Sequence, residues 1–541
     1  MRRDLLAAVM LVALALRAYP LHVFYLHPDQ EQPPRAAMQM LLAADWRPPH
    51  LGNPTGLVYT LRLAYTAAYR VGRAFGAFQD KVDFLAAFVE RPFPFYVLAR
   101  TWSCLTGVVT VALTACLGAR VLGGPAGLLS GLFAAVSFLH VRECHYTWFD
   151  APGVACATGA LLGAIAYRAT GRARLLVVAG MLAGLATAHR YQFAVVFLAV
   201  PAAALTTGAA RRALLPLAAA VAAGVAVFAA VSPYTFLELA RAAQDLRVQL
   251  ALSYWLPQPG QALPFGTILS VAVGIPMCGL ALIGLAAALV RQPGDVAVLV
   301  APAVPYTVSL LLAPRLFARY AVPLVPTIAV FAAGGVWSLS TRMRGWPARL
   351  TSGLLVLVAI ADPFARSVMF DRVLAREDTR RSAGRWILGH VPDGDGLIRP
   401  GSGWYSNPEL PPTAGDVAFD FGGSWAERLV ARGHLRGVPS YRMVDYGLDG
   451  KGIDWARPPA RWVVTSEHPG LPVFGLVPPE MTRFLAAHAV PMARFIGYPD
   501  DSRGGALFDP IDANYVPLRG FGVVRRPGPN IVVWRLAGGP G

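Results

Sequence analysis

The stretch LLAAVMLVALALRAYPLHVFYLHPDQEQ (residues 5–32) begins as an apolar run and ends in the first cluster of carboxylates in the chain. The run Leu5 to Phe24 has the length that a helix needs to cross a bilayer. It resembles a signal peptide, but Arg17 interrupts it and no small-x-small site follows before His22. We therefore expect an uncleaved first span, with the acidic turn after it at a membrane surface.

The composition extends this expectation to most of the chain. Of 541 residues, 55% are hydrophobic and only 15% are charged, and the mean hydropathy is +0.48. Soluble proteins carry about 25% charged residues. The apolar residues fall in blocks of roughly 17–25, which is the length of a membrane-spanning helix. The sequence predicts a polytopic α-helical membrane protein.

Eleven blocks are long and apolar enough to be read as spans. They cover residues 5–24, 93–119, 124–140, 151–168, 173–188, 192–208, 213–232, 264–290, 296–313, 319–340 and 348–367. Residues 27–92 are too polar to be one span, and Pro33 and Pro34 begin a short helix there. The segment Thr55 to Phe75 is typical of an amphipathic helix lying in the interface. If it crossed instead, the topology of every later span would be inverted.

The formal charge of +17 comes almost entirely from arginine. A basic balance can indicate nucleic-acid binding, but here the arginines lie mainly at the ends of apolar blocks. Short arginine-bearing loops are retained on the cytoplasmic side. Threading the spans alternately places the N-terminus and these loops in the cytoplasm. We predict a protein of the bacterial inner membrane with no nucleic-acid partner.

The opposite, extracytoplasmic face then receives most polar groups of the membrane half. It holds residues 27–92, 140–150, 189–192, 232–265 and 314–320, and the whole chain from about residue 370. Ionisable residues gathered at one membrane surface mark a functional site more often than packing.

Residues 371–541 differ in composition from the first 370. The segment Asp371 to Trp386 predicts a helix, and short β-type runs follow at 461–466, 522–525 and 530–535, separated by Gly and Pro. We predict two domains: a transmembrane domain over 1–370, with 27–92 as a large first loop, and a small extracytoplasmic α/β domain over 371–541. All five cysteines precede residue 280, so the second domain has no disulfide framework.

The turn His27-Pro28-Asp29-Gln30-Glu31 is the first candidate site. Asp29 can cap the helix that begins near Pro33, which is a purely structural role. Alternatively, Asp29 is a carboxylate at the rim of a membrane cavity that takes the proton of an acceptor hydroxyl.

A second candidate lies between two spans, in the segment from His140 to Pro152. Asp150 precedes Ala-Pro and so suits an N-cap of the next span, which is a structural role. With Asp29 it can also bracket a substrate or share a divalent cation. Arg142 and His145 are candidate substrate-binding residues in the same segment. His140, Glu143 and His145 are metal-ligand types, although their spacing matches no established zinc pattern. The sequence thus predicts no particular cofactor. It leaves open whether the site binds a divalent metal ion.

Basic and aromatic groups form a third candidate. They are His189 with Arg190, and Arg315 with Arg319 and Tyr320. An arginine beside an aromatic ring at a span end is commonly an interfacial anchor. Arginine is also the side chain best suited to hold a phosphate by two parallel hydrogen bonds. For each of the two groups taken alone, the sequence leaves both roles open, the interfacial anchor and the phosphate ligand.

The sequence contains no Walker A loop and no glycine-rich dinucleotide turn. A site that faces away from the cytoplasm has no access to nucleotide-sugars or ATP. An activated substrate for this site would therefore be carried by a lipid.

Together, the His-Pro-Asp turn after the first span, the segment ending at Asp150 and the run Arg-Tyr-Ala-Val-Pro-Leu-Val-Pro from Arg319 resemble the C-type glycosyltransferases. These are polyprenyl-phosphate-sugar-dependent enzymes that include protein O-mannosyltransferases and the aminoarabinose transferase of lipid A. The resemblance covers residues 1–370. It implies the C-type fold and transfer of a sugar from a polyprenyl-phosphate donor to a hydroxyl of a lipid, glycan or protein.

The resemblance also implies roles for residues. Asp29 stands where the family has its proposed base, and the phosphate would be held by Arg319 with Arg315 or Arg190. The family motif is Asp-Glu, whereas here Gln30 separates Asp29 from Glu31. A single displacement with inversion is expected, with Asp29 and Asp150 as the catalytic pair and Glu31 among the substrate-binding residues.

Two other function classes remain open from the sequence. A transporter or flippase of a lipid-linked sugar would suit the intramembrane charge of Arg17 and the proline-interrupted span 319–340, although no inverted repeat is present. The second of these classes is an assembly subunit that has no catalytic activity and binds its partner through the soluble C-terminal segment. New glycosidic bonds distinguish the enzyme from both.

Overall fold

The structure is a computed structural model. It describes the chain apart from residues 1, 24–27, 208–209, 256–262, 314–315, 342–344, 402–405, 448–451, 472–476, 500–504, 513 and 538–541. The side chains of residues 28–29, 210–211 and 250–255 also lie outside the described part.

Helices account for most of the described chain. In order they are α1 (Arg3–Ala18), α2 (Gln32–Ala43), α3 (Gly56–Ala74), α4 (Lys81–Glu90), α5 (Phe93–Leu122), α6 (Gly124–Val136), α7 (Phe138–Glu143), α8 (Asp150–Thr170), α9 (Ala173–His189), α10 (Ala199–Leu205), α11 (Ala210–Val231), α12 (Tyr234–Leu237), α13 (Leu239–Trp255), α14 (Phe265–Val273), α15 (Ile275–Arg291), α16 (Pro293–Leu312), α17 (Val325–Ser340), α18 (Trp346–Leu374), α19 (Thr379–His390), α20 (Ala414–Phe421), α21 (Gly423–Ala431) and α22 (Pro479–His488). Four 3₁₀ helices join them, at Pro28–Glu31, Tyr191–Leu198, Ala318–Leu324 and Phe521–Val523.

Several of these helices are suited to a membrane. Among the described residues, five helical stretches are long and apolar enough to cross a bilayer: Phe93–Leu122, Arg212–Val231, Pro293–Leu312, Ala318–Ser340 and Trp346–His390. The bent pair α14 and α15 makes a sixth if it is one span. The expectation of several apolar helices is confirmed. The count of eleven is not confirmed and stays a prediction, because other predicted spans form shorter or interrupted helices.

The predicted span 124–140 is interrupted by the side chain of Arg17. Helix α6 ends at Val136, Ser137 is extended, and α7 begins at Phe138. The fully buried Arg17 guanidinium donates to the carbonyls of Ala134 (3.2 Å) and Ala135 (2.9 Å). These carbonyls belong to the last turn of α6, where a helix lacks its own donors. Arg17 therefore pairs inside the helical bundle.

Glycine and proline account for another interruption, in the predicted span 264–290. Gly274 has a φ of +87° between α14 and α15, and Pro276 follows in the first turn of α15. A positive φ is readily adopted by glycine, and proline suits a first helical turn. The two helices are consequently bent by 98°.

By internal contacts the chain forms two compact units. The first, which we call the helical unit, comprises residues 1–21, 43–64 and 97–368. The second, the C-terminal unit, comprises residues 22–42, 65–96 and 369–541. Parts of the first loop are thus grouped with the C-terminal segment by contacts. The predicted division at residue 370 stays a prediction.

A five-stranded mixed sheet lies in the C-terminal unit. Its strands are β1 (Gly396–Pro400), β2 (Arg442–Tyr446), β3 (Trp462–Glu467), β4 (Ala489–Phe495) and β5 (Asn530–Leu536), in the order β2-β1-β3-β5-β4. Strand β1 is parallel to β2 and β3, and β5 is antiparallel to β3 and β4. Side chains of α19 pack on one face and side chains of α22 on the other.

The sequence predicts two of these strands well and misplaces two other elements. The runs 461–466 and 530–535 correspond to β3 and β5, but 522–525 falls on a 3₁₀ helix, Phe521–Val523. The predicted helix 371–386 is wrong as one element, because α18 continues to Leu374 and α19 begins at Thr379. The Asp378 carboxylate accepts from the Arg380 amide and so caps the start of α19.

Ion pairs join the loop segments of the C-terminal unit to α20 and α21. Arg35 on α2 contacts Asp420 (2.7 Å). Arg432 contacts both Asp80 and Asp83 near the start of α4. These pairs are partly exposed, so solvent screening keeps their contribution to stability small. Their effect is to set the position of α2 and α4 within this unit.

Candidate active site

Asp150 and Arg190 meet in the helical unit. Asp150 is the first residue of α8 and fully buried, and Arg190 caps the C-terminus of α9 with an extended backbone. One carboxylate oxygen, Oδ2, forms an ion pair with Nη1 of Arg190. The other, Oδ1, is buried without a hydrogen-bond partner among the described residues. A buried carboxylate oxygen of this kind is available to a ligand donor.

The Tyr320 ring lies next to this pair. The Cζ atom of Arg190 is 4.5 Å from the centre of the ring, and that of Arg319 is 5.9 Å from the same centre. Arg319 also lies over Trp148, 4.2 Å from its ring centre, and is only 6% exposed. Arginine stacks on aromatic faces in this way because the guanidinium is planar and the ring face is negative.

Two guanidinium groups lie beside the ring of Tyr320 in this cluster. They belong to Arg190 and Arg319, and the carboxylate that acts on Arg190 is that of Asp150. Planar guanidinium groups are the preferred partners of phosphate. The cluster is therefore suited to bind a phosphate group.

An apolar cavity begins beside the same residues. It measures about 40 Å³ and is lined by Ala157, Thr158, Leu161, Phe193, Val195, Val196, Leu299, Pro302, Ala303, Tyr306, Pro323, Leu324 and Thr327. The Tyr306 hydroxyl donates to the Tyr320 carbonyl (2.9 Å), so Tyr306 belongs to both the cavity wall and the polar cluster. An anion site next to an apolar cavity matches an amphiphilic ligand.

His189 is buried at the end of α9, next to Arg190. Its Nδ1 is 2.9 Å from the Leu185 carbonyl, so this nitrogen carries the proton. Its Nε2 is buried without a partner among the described residues. His189 therefore presents an acceptor nitrogen, and its predicted role in substrate binding stays a prediction.

Arg142 and His145 make their contacts within the protein. Arg142 pairs with Glu143 at 2.9 Å, and each side chain is 1% exposed. The ring nitrogens of His145 are 2.9 Å from the Val141 carbonyl and 2.8 Å from the Tyr19 carbonyl. The contact between His145 and Tyr19 attaches the loop after α7 to the end of α1. The structure brings neither residue to the Tyr320 cluster by a described contact.

The acidic turn belongs to the C-terminal unit. Residues Pro28–Glu31 form a 3₁₀ helix before α2. The side chain of Asp29 lies outside the described part, so its predicted role as a base remains a prediction. Arg315 also lies outside the described residues.

Glu31 is described, and its carboxylate contacts Arg35 at 3.2 Å. Its side chain is 21% exposed. Burial raises the pKa of Glu31 to about 7, and the charges of Glu409 and Asp420 act in the same direction, whereas Arg35 and Arg380 oppose the shift. Burial also raises the pKa of Glu409. The C-terminal unit thus holds several carboxylates near Glu31 that favour its protonated form.

The described residues contain no group of three His, Cys, Asp or Glu side chains that could hold a metal ion. His140, one of the candidate metal ligands, contacts the Arg17 guanidinium through Nδ1 at 2.8 Å. A metal shared by Asp29 and Asp150 would involve a side chain outside the described part.

Three residues around these sites were not expected from the sequence. Trp148 and Tyr306 contact the arginine–tyrosine cluster, and Asp420 contacts Arg35 beside Glu31. Trp148 could have been included, because it lies two residues before Asp150 in an already polar segment. Tyr306 lies within an apolar helix and Asp420 is far away in sequence, so neither carried a signal.

Comparison with known proteins gives one family match. The family model described as dolichyl-phosphate-mannose-protein mannosyltransferase matches residues 97–236, a range that holds Asp150 and Arg190. No curated protein sequence matches the chain.

Two solved structures are also similar to this chain. The ArnT structure from Cupriavidus metallidurans bound to undecaprenyl phosphate has 15% identity and a TM-score of 0.49, covering 98% of this chain and 97% of that one. The oligosaccharyltransferase AglB from Archaeoglobus fulgidus, in complex with an inhibitory peptide and a dolichol-phosphate, has 12% identity and a TM-score of 0.48, covering 86% and 69%.

The family match falls on the segment that contributes Trp148, Asp150 and Arg190 to the cluster. The resemblance to polyprenyl-phosphate-sugar-dependent glycosyltransferases is therefore confirmed over residues 97–236, where the chain is similar to the dolichyl-phosphate-mannose-protein mannosyltransferases.

Proposed function

We propose that this protein is an integral membrane glycosyltransferase that takes its sugar from a polyprenyl-phosphate donor. The observation that carries the proposal is the cluster of Arg190, Arg319 and Asp150 around Tyr320, beside an apolar cavity. The description of the matching family names a dolichyl-phosphate donor, which has the same amphiphilic chemistry.

In this proposal the donor phosphate is held by Arg319 and Arg190, with Arg315 as a further candidate. Asp150 keeps one oxygen on Arg190 and so orients that guanidinium, while its second oxygen faces the donor sugar. Both guanidinium groups lie close to the Tyr320 ring. The apolar chain of the donor faces Tyr306, which is part of the wall of the apolar cavity.

The reaction is a single displacement. The acceptor oxygen forms a bond to the anomeric carbon as the bond from that carbon to the phosphate oxygen breaks. Asp29 takes the hydroxyl proton, and polyprenyl phosphate leaves with the bonding electron pair. The configuration at the anomeric carbon is inverted because no covalent enzyme intermediate forms.

The acceptor is a hydroxyl of an extracytoplasmic lipid, glycan or protein. We place the acidic turn, Asp150 and the C-terminal unit on that side of the bacterial inner membrane. Glu31 is proposed to influence the charge of the turn through Arg35, and His189 to accept a hydrogen bond from a sugar hydroxyl.

Reconstituted vesicles test the proposal. They contain the full-length protein, a radiolabelled polyprenyl-phosphate sugar and an extract of envelope glycolipids and glycans. We expect label to move from the lipid fraction into a product with a new glycosidic bond, and Asp29→Asn to abolish this. Movement of the donor across the bilayer without new bonds, or full activity of Asp29→Asn, would contradict the proposal. Mass spectrometry of envelopes with and without the protein then identifies the sugar.

A further inference from the structure

The C-terminal unit contains an open cleft that is separate from the arginine–tyrosine cluster around Tyr320. It measures about 350 Å³, which lies within the range of small-molecule sites. It is formed where α19 packs on the sheet, at the ends of β3 and β5. Aromatic and charged side chains line it, among them Trp386, Trp462 and Arg535.

The aromatic side chains form a rigid wall. Trp386 and His390 lie one turn apart on α19 and stack with ring centres 4.3 Å apart and an angle of 5°. His390 Nδ1 is 2.8 Å from the Trp386 carbonyl, which sets its ring orientation. Trp462 lies 6.2 Å from Trp386 at an angle of 69°. The faces of such rings are negative, and the C–H groups of a sugar ring are weakly positive.

Charged groups complete the cleft. Arg461 and Arg535 line it, and Arg535 lies 5.8 Å over the Trp462 ring. The Trp462 indole donates to Asp395 Oδ2 at 3.0 Å and holds that carboxylate in place. A carboxylate has further lone pairs that can accept sugar hydroxyls. The cleft lining thus contains the guanidinium groups of Arg461 and Arg535 and the carboxylate of Asp395. This balance favours a ligand that carries an acidic group.

We propose that this cleft binds a saccharide carrying a carboxylate or a phosphate. The sugar ring packs against the aromatic wall formed by Trp386 and His390, its acidic group pairs with Arg461 and Arg535, and a hydroxyl donates to Asp395. Saccharide binding does not depend on the proposed transfer reaction. The use of the cleft to select an acidic acceptor glycan does rest on the proposed function.

Calorimetric titration of the full-length protein in detergent tests the binding. The probes are glucuronic acid, glucose 6-phosphate, glucose and inorganic phosphate. We expect saturable binding of both acidic sugars, and binding about tenfold or more weaker for glucose and for inorganic phosphate, because each lacks one half of the contacts. Equal binding of inorganic phosphate and glucose 6-phosphate would overturn the saccharide assignment.

Variants locate the binding. Arg461→Gln with Arg535→Gln is expected to weaken glucuronic acid about tenfold to a hundredfold, as charge-assisted hydrogen bonds are lost. Arg494→Gln is the matched control, because Arg494 is exposed on the neighbouring strand β4 and does not line the cleft. Trp386→Phe keeps the packing and is expected to weaken both acidic sugars. Unchanged binding in the double variant would contradict the proposal.

The two proposals fail in distinguishable ways. Arg319→Gln is expected to lose sugar transfer while binding glucuronic acid normally. A protein that transfers sugar but binds no acidic saccharide refutes only the cleft, whereas the reverse result refutes only the glycosyltransferase.

Discussion

Arg319 is the residue on which donor binding depends most in the proposed function. It is almost fully buried, stacks on Trp148 and shares Tyr320 with Arg190. We expect Arg319→Gln to weaken the polyprenyl-phosphate donor about thirty- to a hundredfold, because one charge-assisted contact contributes roughly 2–3 kcal/mol. The measurement is KM for the lipid donor in reconstituted vesicles.

Arg291→Gln serves as the control for this change, because Arg291 is exposed at the end of α15. Its KM should equal that of the unchanged protein. A similar loss in both variants would mean that general positive charge, and not the cluster at Tyr320, attracts the donor.

Glu31 makes stability depend on pH. Its pKa is about 7 in the folded protein, against 4.5 for the free side chain. The folded state therefore binds a proton more tightly, so the contribution is full below pH 4.5 and is lost as pH rises to about 7. A shift of this size corresponds to at most about 3 kcal/mol. We expect the unfolding temperature in detergent to fall between pH 5 and 7.

Glu31→Gln should remove most of this fall, because glutamine stays neutral throughout. Glu427→Gln is the control, since Glu427 is exposed on α21 of the same unit. If the pH dependence of Glu31→Gln matched that of the unchanged protein, Glu31 would not be the titrating group.

At the scale of elements, glycines determine how closely α15 and α17 approach. A Cβ atom on Gly284 would lie 1.8 Å from the Phe331 carbonyl oxygen, and one on Gly335 would lie 2.1 Å from the Leu280 carbonyl oxygen. Small residues allow apolar helices to pack backbone against backbone. The close contact of the two helices therefore requires glycine at both positions.

Gly284→Ala is expected to destabilise the protein by about 1–3 kcal/mol, because backbone has to move to admit the methyl group. Gly279→Ala on the same helix is a matched control, as its Cβ would meet nothing within 4 Å. Thermal unfolding in detergent measures both. Equal behaviour of the two variants would show that α15 and α17 are not packed this closely.

The helix boundaries show where local sequence stops being sufficient. The extent of α8 and of α3 follows closely from the hydrophobic pattern of the sequence. The break between α6 and α7 could not be predicted, because Arg17, whose guanidinium satisfies the carbonyls at the break, lies on another helix. A hydrogen-bond donor from a distant part of the chain can satisfy the carbonyls at a helix break. The break is then stable even where the local hydrophobic pattern favours a continuous helix.

At the scale of the whole molecule, membrane orientation is the main prediction. We expect residues from about 371 onwards to be extracytoplasmic and the loop at Arg291 to be cytoplasmic, since short arginine-bearing loops are retained inside. In a variant without native cysteines, Glu427→Cys should react with a membrane-impermeant maleimide in intact spheroplasts. Arg291→Cys should react only after the membrane is opened. The reverse pattern would mean that residues 55–75 cross the membrane.

The sequence by itself determined the helical membrane class, the family resemblance and the residue types of the site, because composition, hydrophobic block length and short motifs are local properties. Through the alternation of spans it also predicts that Asp150, Arg190 and Arg319 lie on one membrane face. The tertiary structure decided which of these residues touch. Asp150 and Arg190 are 40 positions apart and pair only because α8 and α9 bring their ends together at the 3₁₀ helix that carries Tyr320. The cleft proposed to bind acidic saccharides depends in the same way on contacts between α19, β3 and β5, since residues distant in sequence must share one surface before they can bind one ligand.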